Sequence, residues 1–223
     1  MATKKLKVGD LFYIEAAKGK FVFGKVLFDV DKQYKSQENL QITDLINSSN
    51  KLKGWYSDCI VIEMYEGVYD TPESNLNRNI LIKRAVCGVS GLKKYNWGVI
   101  SNEDVDVREV SFTENIFPLE SSVYLNLGEL KFNISMSMKE YEDMNVVGAK
   151  IDIVSIAFIC LNMQGFNDLL EEDYQKEKTM AMYDLMYHPA IRNKIYKELN
   201  LDPNKSYYEL SKEMGFDLKR FYE

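Results

Sequence analysis

Side chains able to assemble a reactive centre are scarce. His188 is the single histidine in 223 residues, and it directly precedes Pro189, which biases its backbone to an extended conformation ahead of a helix. Metal sites generally need two or more His or Cys ligands at defined spacing, and an imidazole base needs a nucleophile in a recognisable setting. His188 has neither. Cys59, Cys87 and Cys160 form no C-x-x-C pair and sit among apolar residues, a pattern of reduced, buried thiols. Nothing beside them supplies the positive charge that a thiolate nucleophile needs. Gly88-Val89-Ser90-Gly91, with Lys93 and Lys94 close by, distantly suggests a phosphate cradle. It lacks both the Walker spacing and the G-x-G-x-x-G order, so a plain turn is expected. No catalytic, cofactor-binding or metal-ligating residue is assigned, and His188 is read as a structural or surface residue.

Carboxylates, by contrast, are abundant. Glu103, Asp104, Asp106, Glu109 and Glu114 crowd a segment in which Val105, Val107, Val110 and Phe112 read as a strand. This is a solvated, charge-guarded sheet edge, an acidic patch for a basic protein partner or, as a third alternative, a metal site. These five residues are the candidate partner-binding set. A second cluster, Glu171-Glu172-Asp173, opens an expected helix, where the helix dipole accounts for it. The charge is uneven along the chain. Residues 1–53 hold ten basic and six acidic side chains, residues 54–130 six and twelve, and residues 131–223 twelve and sixteen.

The formal net charge of −6 and pI near 5.1 argue against binding to phosphate backbones, which needs a basic footprint. Glu209 to Phe216 is worded like the start of a helix-turn-helix, but no run long enough for a groove-reading helix follows it here. The longest apolar stretch, Ile151 to Leu161, contains Asp152 and Ser155 and is too short to span a bilayer. The basic start, Met1 to Lys7, leads into no signal-peptide core. A cytoplasmic protein is expected, with no nucleic-acid or membrane partner.

Those residues need elements to position them, and the first half reads as strands. The runs are Asp10–Glu15, Lys20–Asp29, Cys59–Tyr65, Asn79–Val86, Trp97–Ile100, Val105–Phe112, Ser122–Leu127 and Lys131–Met138. Lys18-Gly19, the loop Asp70 to Asn75 and Leu127 to Leu130 mark turns, and Gly24 marks an expected bulge. From about residue 139 helical patterns take over. A helix capped by Ser137 is expected first. Ile151 to Leu161 could be strand or helix, and Asp168–Tyr187 reads as a longer helix. Pro189 opens another reaching Leu199, with Ile191, Ile195 and Leu199 as its docking stripe. Ser206–Met214 then ends at Gly215, before a last turn over Phe216–Phe221. The fold class is α+β: an antiparallel curled sheet or small β-barrel followed by a helical segment. The β-rich part spans residues 1–138, and the helical part, residues 139–223, is expected to pack on it as one unit.

Lys7-Val8-Gly9-Asp10-Leu11-Phe12-Tyr13-Ile14, followed by Gly19-Lys20-Phe21-Val22-Phe23-Gly24-Lys25-Val26-Leu27, resembles the opening of the Immunity protein 26 family, bacterial proteins associated with polymorphic toxin systems. The shared pattern is a "GD-x-F-x-I" strand, a Gly-containing turn and an aromatic strand ending "G-x-V-L". It covers about 25 residues, and Glu15 stands where the family has a proline. The resemblance implies neutralisation of a cognate toxin by tight, non-catalytic binding and transfers no site residue. Two rivals remain: an adaptor module without a toxin, and a hydrolase, since some relatives of that group carry a phosphotriesterase label.

Overall fold

Alternation of side chains makes the first hairpin. Asp10–Ala17 forms strand β1 and Lys20–Asp29 forms β2, with Gly19 at the turn in the left-handed region at φ 67°. Glu15 closes that turn, its Oε1 accepting the Gly19 N–H at 2.7 Å. Gly9, at φ 85°, lets the chain enter β1 where any Cβ would meet the Glu103 carbonyl.

The structure is a computed structural model describing residues 5–34, 56, 58–73, 75–144, 150–175 and 179–222. After the first hairpin, a π turn covers Val30–Tyr34, and Cys59–Tyr65 (β3), Ile80–Gly88 (β4) and Trp97–Asn102 (β5) follow. Glu114–Leu119 (β6), Ser122–Leu127 (β7) and Leu130–Ile134 (β8) form a second sheet. Met138–Asp143 is helix α1, opened by a Ser137–Glu140 capping box. Ile151–Asp152 (β9) leads directly into Ile153–Met163 (α2), with Asp152 as the cap. Glu172–Gln175 (α3), Pro189–Glu198 (α4) and Tyr207–Glu213 (α5) complete the helices, and Leu218–Phe221 is a 3-10 turn.

The larger sheet runs β5-β1-β2-β3-β4-β9, antiparallel except for β4 with β9, and the smaller runs β6-β7-β8. The mixed α+β class holds. The sheets are open, however, so the small-barrel alternative is corrected.

Both faces of the large sheet are covered. Phe12, Ile14, Val22, Val26, Ile62 and Met64 pack with α2 on one face. On the other, Phe28, Val61 and Val86 meet Phe112, Ile116 and Leu125 together with Ile195 of α4 and Tyr207 of α5. Each fully buried Phe or Leu of this kind is worth about 1.5–3 kcal/mol. Two irregularities make the division possible. Val26 pairs Ile62 and Phe28 pairs Val61, so Leu27 is the extra residue and the strand changes phase there. A second register break in β4, between the partners of Ile62 and Met64, falls at Lys83-Arg84.

Several expectations are revised. The phase shift lies at Leu27, whereas Gly24 is a point of close approach. Val105–Phe112 is no strand: a turn covers residues 107–109, the Asp106 side chain accepts the Arg108 N–H at 3.0 Å, and the Asp106 carbonyl accepts that of Glu109 at 2.9 Å. Local Asx geometry outcompetes the sheet there. Strand β6 was not foreseen. Asp168–Tyr187, of which residues 176–178 lie outside the described set, breaks into short turns because Leu170, Thr179 and Asp184 are extended. The ambiguous 151–161 run is both forms in succession.

Gly24→Ala should lower the unfolding free energy from urea titration by about 1–3 kcal/mol, and with it the midpoint, since its Cβ would lie 2.5 Å from the Glu63 carbonyl and 2.8 Å from the Phe12 ring. Gly88→Ala, whose Cβ would enter open space, should leave the midpoint nearly unchanged. Equal effects would contradict the close-approach account.

Candidate interaction site

The acidic segment begins where β5 ends. The Glu103 N–H donates to the Gly9 carbonyl at 2.9 Å, and Lys25 Nζ donates to the Asp104 carbonyl at 2.7 Å. Val110 and Phe112, fully buried, pin its far end, while Val105 and Val107 pack partly against the same core. The loop is therefore held at both ends.

Its carboxylates divide into three groups. Glu103 accepts two hydrogen bonds from Arg78, at 2.8 and 3.3 Å, and lies 3.8 Å from Lys25. The Arg78 bonds hold its pKa below the usual carboxylate value. Asp106 is gripped by Arg108 at 2.5 Å, which brings its pKa down to about 2. Asp104 and Glu109 are exposed, and among the described residues neither has an ion-pair partner. Glu114 does not belong to the patch. Its side chain is 1% exposed, which corrects its place in the candidate set. What a partner would meet is a loop with two unpaired carboxylates, flanked by two internally neutralised pairs.

Glu114 belongs instead to a buried ion network. Arg84 donates from Nε to Asp184 at 2.8 Å and from Nη2 to Glu114 at 2.9 Å and Asp184 at 3.1 Å, while Nη1 reaches Ser111 at 2.9 Å. Arg192 clasps Glu114 from α4 with bonds of 2.8 and 3.0 Å. Asp184 also accepts backbone N–H groups of Glu114 and Met186, at 3.2 and 3.0 Å. Burial alone would raise the Glu114 pKa; the bonds from Arg192 and the charge of Arg84 outweigh it and hold it below normal. The network floors a cleft of about 270 Å³ whose mouth is lined by Lys83, Arg108, Glu109 and Lys205.

The residues that could do chemistry are otherwise engaged. His188 Nε2 lies 2.7 Å from the Ala181 carbonyl, so its N–H donates there and the ring ties two turns together. Burial pushes the Cys59 thiol up to about 12 and the Cys87 and Cys160 thiols well above their usual value. Gly88 ends β4 and Ser90–Lys94 is a short 3-10 helix in place of the expected turn, its Gly91 N–H donating to Asp152 at 3.0 Å. A carboxylate occupies that backbone donor. Among the described residues, no group of three or more His, Cys, Asp or Glu could hold a metal ion, and no helix is long and apolar enough to cross a membrane.

Sequence reading missed Arg84, Asp184 and Arg192. The available signal was Arg84 itself, an arginine inside an apolar strand, which is rarely buried without partners. Its partners are remote in sequence and could not be named from it.

Comparison with known families, characterised proteins and solved structures returns no match. The functional reading therefore rests on the chain itself.

Arg84→Met should cost about 3–5 kcal/mol in urea titration, because it leaves buried Asp184 without a cation and Glu114 with Arg192 alone. Glu114→Gln tests the same network by pH. The folded-state pKa lies below the ordinary 4.5, so this carboxylate's contribution is complete above about pH 4.5 and drains away as pH falls further. The variant should start less stable at pH 7 and lose less than wild type between about pH 5 and 3. A parallel acid limb in both proteins would remove Glu114 from the acid response.

Proposed function

We propose that this chain is a non-catalytic immunity protein that binds and neutralises a cognate bacterial toxin. The observation carrying this reading is the first hairpin. The residues resembling the Immunity protein 26 opening lie in or beside a continuous strand pair, in which Phe12 faces Gly24 and Ile14 faces Val22. Of the three glycines of the pattern, Gly9 and Gly24 each stand where a side chain would collide with backbone, and Gly19 takes the left-handed turn conformation.

A second observation favours action by surface contact. The single imidazole is spent on a backbone carbonyl, and the thiols are buried with raised pKa values. The acidic loop is pinned at both ends, so Asp104 and Glu109 are presented with little ordering cost on binding. Their charge would steer a basic toxin domain and mainly raise the association rate.

The product of the neighbouring gene, expressed alone, should arrest bacterial growth, and co-expression of this chain should restore it, with the two proteins co-purifying. Asp104→Lys with Glu109→Lys should slow association by about tenfold at low salt and much less at high salt. Unchanged association kinetics would take the loop out of the interface; growth arrest without rescue would defeat the immunity reading.

A further inference from the structure

Exposed apolar side chains are not spread evenly. Of the nine large ones among the described residues, Met163, Phe166, Leu169 and Tyr174 fall within twelve consecutive positions, each 38–43% exposed. They occupy the corner where α2 ends and α3 begins. The outward ring of Phe158 on α2 joins them, 4.8 Å from the Tyr174 ring and 6.0 Å from Tyr95.

The corner is rigidly mounted. Leu170 plunges into the core beneath α2. Gln164 accepts the Gly67 N–H at 2.6 Å and donates to the Cys160 carbonyl at 3.0 Å. The Phe166 and Leu169 N–H groups both donate within the turn, at 3.0 and 3.1 Å. Apolar groups held outward on a fixed frame lose little entropy on being covered, which is what interface anchors require.

Charge identifies what covers them. Residues 151–175 contain five carboxylates and no lysine or arginine, and Asp168, Glu171 and Glu172 stand exposed beside the apolar side chains. Lys93 and Lys94 stand next to Tyr95, and in sequence Lys176 and Lys178 follow Tyr174 with Glu177 between them, so residues 151–178 keep six carboxylates to two cations. An acidic rim repels an anionic membrane leaflet and a second copy of itself. It attracts a cationic segment, whose guanidinium or ammonium groups also gain from the faces of exposed aromatic rings.

We infer that the α2–α3 corner is a docking surface for a basic amphipathic segment of a protein partner. Apolar anchors of that segment sit against Phe166 and Leu169, and its cations face Glu171 and Glu172. The inference rests on the immunity reading only in taking the partner to be a protein. It places the apolar anchoring on a different face from the acidic loop.

The test is fluorescence anisotropy on the full chain with a labelled arginine–leucine amphipathic peptide of about 18 residues, long enough to form a helix, and with its glutamate–leucine counterpart. The basic peptide should bind at least about tenfold more tightly than the acidic one. Phe166→Ser with Leu169→Ser, and separately Glu171→Lys with Glu172→Lys, should each weaken it about tenfold. Asp104→Lys with Glu109→Lys should leave it unchanged, and all variants should keep the wild-type melting temperature, since every substituted side chain is exposed. Equal binding of both peptides, undiminished binding by the corner variants, or capture of anionic vesicles in preference to the basic peptide would overturn the inference. Peptide binding at the corner alongside failed growth rescue would defeat the immunity reading and leave the docking surface standing.

Discussion

A guanidinium buried within a sheet cannot be left alone, and much of this molecule's arrangement follows from Arg84. Removing such an ion from water costs several kcal/mol, recovered only if its donors are met in good geometry. Arg84 meets Asp184, Glu114 and Ser111, and Glu114 is in turn held by Arg192. Four segments far apart in sequence are thereby fixed against one another: β4, the approach to β6, the turn before α4, and α4 itself. Apolar burial alone would bring these segments together without choosing a register. Paired charges choose one, because a shift of a single residue leaves an ion unmatched.

The same strands serve two cores because their registers are interrupted. Were β2 and β4 regular, each would keep one set of side chains on one face throughout. The extra residue at Leu27 turns Phe28 toward the small sheet while Val26 stays under α2. The break at Lys83-Arg84 likewise puts Arg84 on the face of Glu114 while Ile82 and Ala85 remain with α2. Two local irregularities thus set which residues of β2 and β4 face which core.

Legibility in the sequence followed the range of the interactions. The hairpin at Lys18-Gly19, the strand Cys59–Tyr65, the Ser137 cap and the helix opened by Pro189 depend on near neighbours, and each stands where the pattern places it. Val105–Phe112 alternates like a strand, yet the Asp106 side chain bonds its own backbone two residues on and turns the chain there. The long helix expected over Asp168–Tyr187 is interrupted at Leu170, Thr179 and Asp184, and the last of these is drawn to Arg84, one hundred positions away. The acidic set failed in one member for a related reason: composition counts Glu114 as a surface charge, and only tertiary pairing reveals it as an interior one. Phe166 and Leu169 escaped notice because exposure of an apolar residue carries no local signature.

The three thiols, finally, are distributed between the two cores. Cys59 lies with Phe28 and Val61, whereas Cys87 and Cys160 lie with the strands beneath α2, and all are free and 1% exposed or less. An alkylating reagent can reach any of them only through an opening motion. The chain therefore carries built-in chemical reporters that distinguish loosening of one layer from loosening of the other, without the introduction of a single probe.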